Sequence, residues 1–214
     1  IPPVNAMQAG PPRGGPACIA LTGGIGSGKS AALAAFARCG AAVLSSDEAV
    51  HGLYADPEVV RAVVDRFGSE VLSAAGAVDR PALGARVFGD HEAMRFLEGL
   101  IHPRVGAGRE RWVAGQRALD PPPPLLVCEV PLLFEVGAEG AFDAVLTITA
   151  GEAVRRARVE ERGQRFDERR ARQLPEEEKV ARADGAFVND GALADLESWV
   201  ADRFAELAGR PCGG

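Results

Sequence analysis

Residues 23–30 read Gly-Gly-Ile-Gly-Ser-Gly-Lys-Ser, which has the residue types and the spacing of a phosphate-binding loop. Glycines let the backbone turn so that successive N–H groups point at one phosphate, and the helix that follows adds its partial positive charge. Lys29 is placed to reach the β- and γ-phosphates, and the hydroxyl of Ser30 is placed to hold Mg²⁺. The segment therefore predicts binding of a nucleoside triphosphate.

Such a loop needs a buried strand before it and a helix after it, and the neighbouring residues predict both. Residues 17–22 are a short apolar run, and residues 29–38 have a helical pattern that ends at Gly40. Further strands are predicted at 42–44, 125–130, 144–149 and 186–188, and further helices at 152–162 and 193–207. This alternation predicts an α/β fold with a parallel sheet of the P-loop NTPase type, flanked by helices on both faces.

The chain is predicted to hold one nucleotide-binding core that an all-helical insertion interrupts. The predicted cap residues Asp79 and Asp90 lie within the insertion, where helix signals replace strand signals. The predicted parts are a flexible Pro- and Gly-rich leader at 1–16, the core at 17–56 and 121–207, the insertion at 57–120, a small lid at 158–175 and a tail at 208–214.

Composition excludes some functional classes. The 214 residues are 47% hydrophobic and 25% charged, which is typical of a globular protein large enough to bury a core. A net charge of −6 argues against a general nucleic-acid binder, although arginines crowd residues 155–172. No apolar run approaches the ~18 residues of a membrane span, and the first residues lack the features of a signal peptide. We therefore expect a cytoplasmic protein without nucleic-acid or membrane partners, whose four scattered cysteines are reduced.

Polar residues that follow the predicted strands are candidates for catalysis, because ligands bind beyond the carboxyl ends of the strands in such sheets. The second strand is followed by Ser45, Ser46 and Asp47, and the third ends near Glu129, Pro131 and Glu135. A carboxylate such as Asp47 could orient an acceptor hydroxyl and take its proton. Alternatively, Asp47 is an acid in a first helical turn, where the helix dipole favours it.

Several segments together resemble the dephospho-coenzyme A kinase family. They are the phosphate loop with the strand before it, Ser46-Asp47, Gly76-Ala77-Val78-Asp79-Arg80, Ile101-His102-Pro103, Val130-Pro131-Leu132-Leu133-Phe134-Glu135 and Val188-Asn189-Asp190-Gly191. The resemblance covers roughly residues 17–207. It implies transfer of the γ-phosphoryl group of ATP, with Mg²⁺, to the ribose 3′-hydroxyl of dephospho-coenzyme A, the final step of coenzyme A biosynthesis.

The resemblance also implies roles for individual residues. Asp47 and Lys29 would be catalytic, together with Arg158 and Arg162 at the start of the lid, and Ser30 would hold the metal. The ATP-binding residues would be Gly24, Ile25, Gly26, Ser27, Gly28, Lys29, Ser30, Ala31 and Asn189. The acceptor would be bound by Asp47, Asp79, Arg80 and His102. The chain departs from the family at Ser45, where Asp is usual, and at Ala31, where Thr is frequent.

Structural explanations remain open for three of these residues. Asp79 is a good helix N-cap with Pro81 close behind it, and His102-Pro103 could end one helix and start another. Asn189 could form a turn before Asp190-Gly191. These readings need no ligand.

Two other functions are compatible with the phosphate loop. One is a P-loop kinase that acts on a nucleoside or nucleotide. Its insertion would bind that acceptor in place of dephospho-coenzyme A. The other is a nucleotide-regulated binding module, against which the chain has no guanine-reading Asn-Lys-x-Asp motif. The sequence does not indicate the oligomeric state.

Overall fold

The computed structural model describes residues 15–209 and residue 212, without the side chains of Asp47, Glu48, His51, Glu168 and Arg169. The chain divides into two compact units. The core unit comprises the described residues of Ile1–Ser45 and Val113–Gly214, and the helical unit comprises Ser46–Trp112. Apart from residues 15 and 16, the predicted leader lies outside the described residues, as does much of the predicted tail.

The core unit is built on a five-stranded sheet whose strands are all parallel, in the order β2-β3-β1-β4-β5. The strands are β1 (Ala17–Thr22), β2 (Ala42–Leu44), β3 (Leu125–Glu129), β4 (Ala144–Thr149) and β5 (Gly185–Val188). In the register of the sheet, Ala17 on β1 faces Leu125 on β3, and Ile19 on β1 faces Ala144 on β4. The predicted α/β fold with a parallel sheet is confirmed.

Helices cover both faces of this sheet because β1, β3 and β4 are apolar and buried at almost every position, so neither face can be left to water. The core-unit helices are α1 (Lys29–Arg38), α6 (Glu152–Glu160), α7 (Phe166–Arg170), α8 (Glu176–Arg182) and α9 (Leu193–Ala208). On one face Leu21 and Leu146 pack with Phe36 of α1 and Phe204 of α9. On the other face Ala20 lies in a cluster that includes residues of the segment after β3. Complete burial of a side chain such as Phe36 contributes about 1.5–3 kcal/mol.

The helical unit has its own apolar core, to which Val59, Val63, Leu83 and Ile101 contribute. Its helices are α2 (Ser46–Leu53), α3 (Pro57–Phe67), α4 (Arg80–Val87) and α5 (His91–Arg117), with a short 3-10 helix at Ser69–Val71. A single antiparallel bridge joins Leu72 to Val78 within the described residues.

The suggested helix break at His102-Pro103 is not present, because α5 continues through Pro103. A proline inside a helix removes one backbone hydrogen bond. Here the burial of Ile101 in the helical core favours the continuous helix, and the Arg104 guanidinium donates a 3.0 Å hydrogen bond to the Leu100 carbonyl.

The cysteines correct one expectation. Cys39, which follows α1, and Cys212, which follows α9, form a disulfide. The sequence does not reveal this pair, because 173 positions separate the two residues and only the packing of α9 on α1 brings them together. Cys18 and Cys128 take no part in a disulfide and are buried in the sheet, as expected. Among the described residues, no helix is long and apolar enough to cross a membrane.

Candidate active site

The phosphate loop lies between the end of β1 at Thr22 and the start of α1 at Lys29. Gly26 has a φ of 75° and Gly28 a φ of 106°, a region that L-residues with side chains rarely adopt. A Cβ on Gly26 would lie 2.5 Å from the carbonyl oxygen of Arg155, and one on Gly28 would lie 2.2 Å from Nδ2 of Asn189. Glycine is therefore required at both positions by conformation and by space.

Lys29 is buried under the loop that it follows. Its Nζ donates hydrogen bonds of 3.0 Å to the Gly23 carbonyl and 2.9 Å to the Gly24 carbonyl. Burial lowers the pKa of Lys29 to about 8, and the negative charge of Glu129 opposes this shift. A bound phosphate would favour the charged ammonium, so this environment fits a polyphosphate.

Two predicted site residues lie against the loop. Arg158 on α6 donates hydrogen bonds of 3.4 Å to the Gly26 carbonyl and 3.0 Å to the Asn189 carbonyl. Asn189, buried after β5, donates a 2.8 Å hydrogen bond from Nδ2 to the Ser27 carbonyl. These contacts favour a role for Asn189 in holding the loop over the suggestion that it only forms a turn.

The other predicted residues of the core unit have more open surroundings. Ser30 is exposed in the first turn of α1, where its hydroxyl could reach a metal ion. Arg162 lies beyond the end of α6 with an exposed side chain, so the structure does not bring it onto the loop as it does Arg158. No three His, Cys, Asp or Glu side chains lie together as a metal site in the part of the chain that is described.

Arg155 is a site residue that the sequence analysis did not single out. It is buried, and its Nε donates a 2.9 Å hydrogen bond to the Ala150 carbonyl. Its guanidinium lies 3.8 Å from the carboxylate of Glu176. A Cβ on Gly24 would lie 2.8 Å from Nη1 of Arg155 and 2.3 Å from Oε1 of Glu176, so this ion pair lies directly against the loop.

Helical periodicity could have identified Arg155. Residues three apart share a helix face, so Arg155 and Arg158 point the same way on α6, toward the loop. Arg156 points elsewhere and forms exposed ion pairs with Glu152 and Asp167. Because arginines are so frequent in this segment, the sequence did not separate those that face the loop from those that form exposed ion pairs.

A cleft of about 650 Å³ opens beside the loop, at the carboxyl ends of β4 and β5. Its walls include Thr149, Arg155, Gln173, Glu176 and Val188. The cleft thus lies where parallel sheets of this kind bind their ligands.

The predicted acceptor-binding residues belong to the helical unit. Asp79 caps α4 by accepting a 3.0 Å hydrogen bond from the Ala82 N–H, which confirms the suggested N-cap. The Arg80 guanidinium lies 6.0 Å from the centre of the Tyr54 ring, and burial raises the pKa of that tyrosine. His102 is exposed on α5. Asp47 lies in the first turn of α2, and its side chain is not among those described.

Comparison with known proteins assigns a family. The dephospho-CoA kinase family (CoaE) matches residues 17–195. The dephospho-CoA kinase of Mesorhizobium japonicum is 42% identical over 197 residues, which cover 90% of this chain and 97% of that protein. The enzyme of Bradyrhizobium diazoefficiens is 37% identical over 198 residues, covering 90% and 96%. The crystal structure of TT1252 from Thermus thermophilus, 36% identical, gives a TM-score of 0.75 over 90% of this chain and 98% of that one. The chain therefore belongs to the dephospho-CoA kinase family.

Proposed function

We propose that this protein moves the γ-phosphoryl group of ATP to the ribose 3′-hydroxyl of dephospho-coenzyme A through the phosphate loop of its core unit. Dephospho-CoA kinase activity, the final step of coenzyme A biosynthesis, follows from the family match over residues 17–195. The observation that carries the assignment to this loop is the buried ammonium of Lys29, held on the Gly23 and Gly24 carbonyls.

The residues of the loop fit the triphosphate of ATP. Gly26 and Gly28 have positive φ angles, and Arg155 and Asn189 occupy the space that side chains there would need, so the loop keeps the glycine-rich backbone that a phosphate requires. Ser27 has a buried hydroxyl without a hydrogen-bond partner among the described residues. Mg²⁺, when bound, balances phosphate charge, and the exposed hydroxyl of Ser30 is the ligand that we assign to it.

In the core unit, positively charged side chains perform the catalytic work. Phosphoryl transfer needs in-line positioning and compensation of negative charge, and needs little covalent chemistry from the protein. Lys29 would contact the β- and γ-phosphates and compensate their negative charge. Arg158, already in contact with the Gly26 carbonyl, would add a second positive charge at the loop. Arg162 would contribute only when the predicted lid at 158–175 closes, because its side chain is exposed.

Asp47 is assigned as the base. Its carboxylate would hold the 3′-hydroxyl of the acceptor and take up the proton as the new bond to phosphorus forms. Its position three residues after the end of β2, a parallel strand, supports this role. Ser45 stands two residues earlier and has no charge to share the task.

The helical unit is assigned to the acceptor. Arg80 and His102 offer a guanidinium and an imidazole that suit the phosphates of dephospho-coenzyme A, while Asp79 orients the start of α4 beside Arg80. The net charge of −6 supports a small-molecule acceptor over nucleic acid, and the reaction is assigned to the cytoplasm without a membrane partner.

The test couples ADP release to direct detection of the product, with ATP and Mg²⁺. Dephospho-coenzyme A is compared with a panel of nucleosides and nucleotides, and the Lys29→Met variant is the control for contaminating kinases. We expect coenzyme A to form with dephospho-coenzyme A as the preferred acceptor. Preferred transfer to a nucleoside would overturn the proposal in favour of another P-loop kinase, and ADP release that no acceptor changes would favour a nucleotide-regulated module.

A further inference from the structure

A hydrogen bond joins the phosphate loop to the end of the predicted lid. The N–H of Ile25 donates to Oε1 of Gln173 at 2.8 Å, across 148 positions of sequence. Ile25 lies in the part of the loop that must surround phosphates, and Gln173 lies near the end of the predicted lid, 158–175. The contact therefore connects the segment expected to move with the segment expected to hold ATP.

The chain directly after Gln173 is anchored by a single carboxylate. The N–H of Leu174 donates a 2.8 Å hydrogen bond to Oε1 of Glu135. Nζ of Lys179, on α8, lies 2.9 Å from the same oxygen, with side chains that are only 1% and 13% exposed. This contact is a buried ion pair.

This anchor is tied to the sheet that carries the loop. Glu135 belongs to the segment after β3, and β3 pairs directly with β1, the strand that leads into the loop. Lys179 has lost its hydration completely, which is costly for an ammonium unless a carboxylate lies beside it. The pair therefore holds residues 173–179 in one place relative to the loop.

We propose that Gln173 is a positioning residue for phosphoryl transfer, which keeps the phosphate loop in its ATP-binding shape by holding the Ile25 N–H, and that Glu135 and Lys179 keep Gln173 in place. The inference rests on the proposed function, since it assigns a task within the same reaction. A loop that is already ordered loses less conformational freedom when ATP binds. Replacement of Gln173 should therefore weaken the binding of ATP and leave the binding of the acceptor unchanged.

The first test replaces the amide without changing the volume much. Gln173→Met removes the acceptor for the Ile25 N–H, and Gln164→Met is the matched control, an exposed glutamine in the same predicted lid. We expect the KM and the Kd for ATP to rise about three- to tenfold, the equivalent of one lost hydrogen bond, with the KM for dephospho-coenzyme A unchanged. The control should match the unmutated protein.

Amide hydrogen exchange followed by NMR supplies a readout that does not depend on activity. In Gln173→Met the Ile25 amide should lose protection, while amides of β1 and β3 keep theirs. An Ile25 amide that stays protected would overturn the proposal, as would a lost protection without a change in ATP binding. If the unmutated protein did not phosphorylate dephospho-coenzyme A, the proposed function would fail. Hydrogen exchange and ATP binding would still test whether Gln173 holds the Ile25 N–H.

The second test concerns the anchor. A lone Lys179 or Glu135 charge would be costly in the interior, so both are replaced together in Glu135→Met/Lys179→Met, which also removes the acceptor for the Leu174 N–H. This double variant should weaken ATP binding as Gln173→Met does, and adding Gln173→Met to it should weaken binding little further. If the triple variant lost ATP affinity by the product of the two separate fold losses, the anchor would act independently of Gln173. That result would overturn this part of the proposal.

Discussion

The core unit and the helical unit hold their candidate site residues in different ways. In the core unit, Lys29, Arg158 and Asn189 are held by contacts with the backbone of the phosphate loop. In the helical unit, Asp79 caps its own helix and His102 is exposed. A loop held by buried side chains thus contrasts with a carboxylate that caps its own helix and an imidazole that faces solvent.

The largest effect that we expect comes from Asp47, the proposed base. Asp47→Asn should lower kcat by about 10³-fold because general base catalysis is lost, while ATP affinity stays the same. Single-turnover kinetics and calorimetric titration with ATP measure the two quantities. Asp65→Asn on α3, an exposed position, is the control. Near-normal turnover in Asp47→Asn would remove this residue as the base.

Lys29→Met tests the preformed site. Loss of the buried charge should lower kcat by about 10²-fold, because the developing charge loses one fixed partner, and should also weaken ATP binding. Steady-state kinetics with ATP measure both effects. Arg38→Met, at the exposed end of the same helix, should leave both unchanged. Loss of turnover without weaker ATP binding would contradict a ground-state contact with the phosphates.

The pKa of Lys29, about 8 without ligand, predicts a pH dependence of ATP binding. Phosphates favour the ammonium, so ATP should raise this pKa and proton uptake should accompany binding above pH 7.5. Between pH 7 and pH 9 the affinity should fall about tenfold, because the free protein loses the charge as the pH rises through 8. Calorimetry in buffers of different ionisation enthalpy measures the uptake, which Lys29→Met should abolish.

Arg158 and Arg162 distinguish contact with the loop from action in the lid. Arg158→Met should weaken ATP binding severalfold, about 1 kcal/mol, because it removes hydrogen bonds to the Gly26 and Asn189 carbonyls. Arg162→Met should lower kcat more than ATP affinity, since its side chain is exposed and would act only in a closed form of the predicted lid. Comparison of kcat with the Kd for ATP separates the two, and equal losses in both variants would contradict the distinction.

Asp79 should show the smallest effect and tests the helical unit. Asp79→Ala should cost about 1 kcal/mol of unfolding free energy through loss of the cap on α4, whereas Asp79→Ser should keep most of it. Urea unfolding measures the difference. If Asp79→Ser restores stability but not the KM for dephospho-coenzyme A, the carboxylate also serves the acceptor; full recovery of both would limit Asp79 to the cap.

Much of the fold was predictable because local patterns specify local structure. The apolar run before the loop and the helical pattern after it correspond to β1 and α1, and the other strands lie where they were predicted, within a residue. The continuous α5 was not predicted, because the local signal of Pro103 was outweighed by burial in the helical core. Such burial depends on residues of other helices, which the sequence around Pro103 does not indicate.

By itself, the sequence determined the phosphate loop, the parallel sheet and the family, since each depends on residue types at short spacing or on periodicity along one element. The tertiary structure decided which distant residues support the loop. Gln173 reaches Ile25 across 148 positions, and Cys39 pairs with Cys212 across 173. These contacts form only when the strands and helices pack together, so no local pattern of residues predicts them.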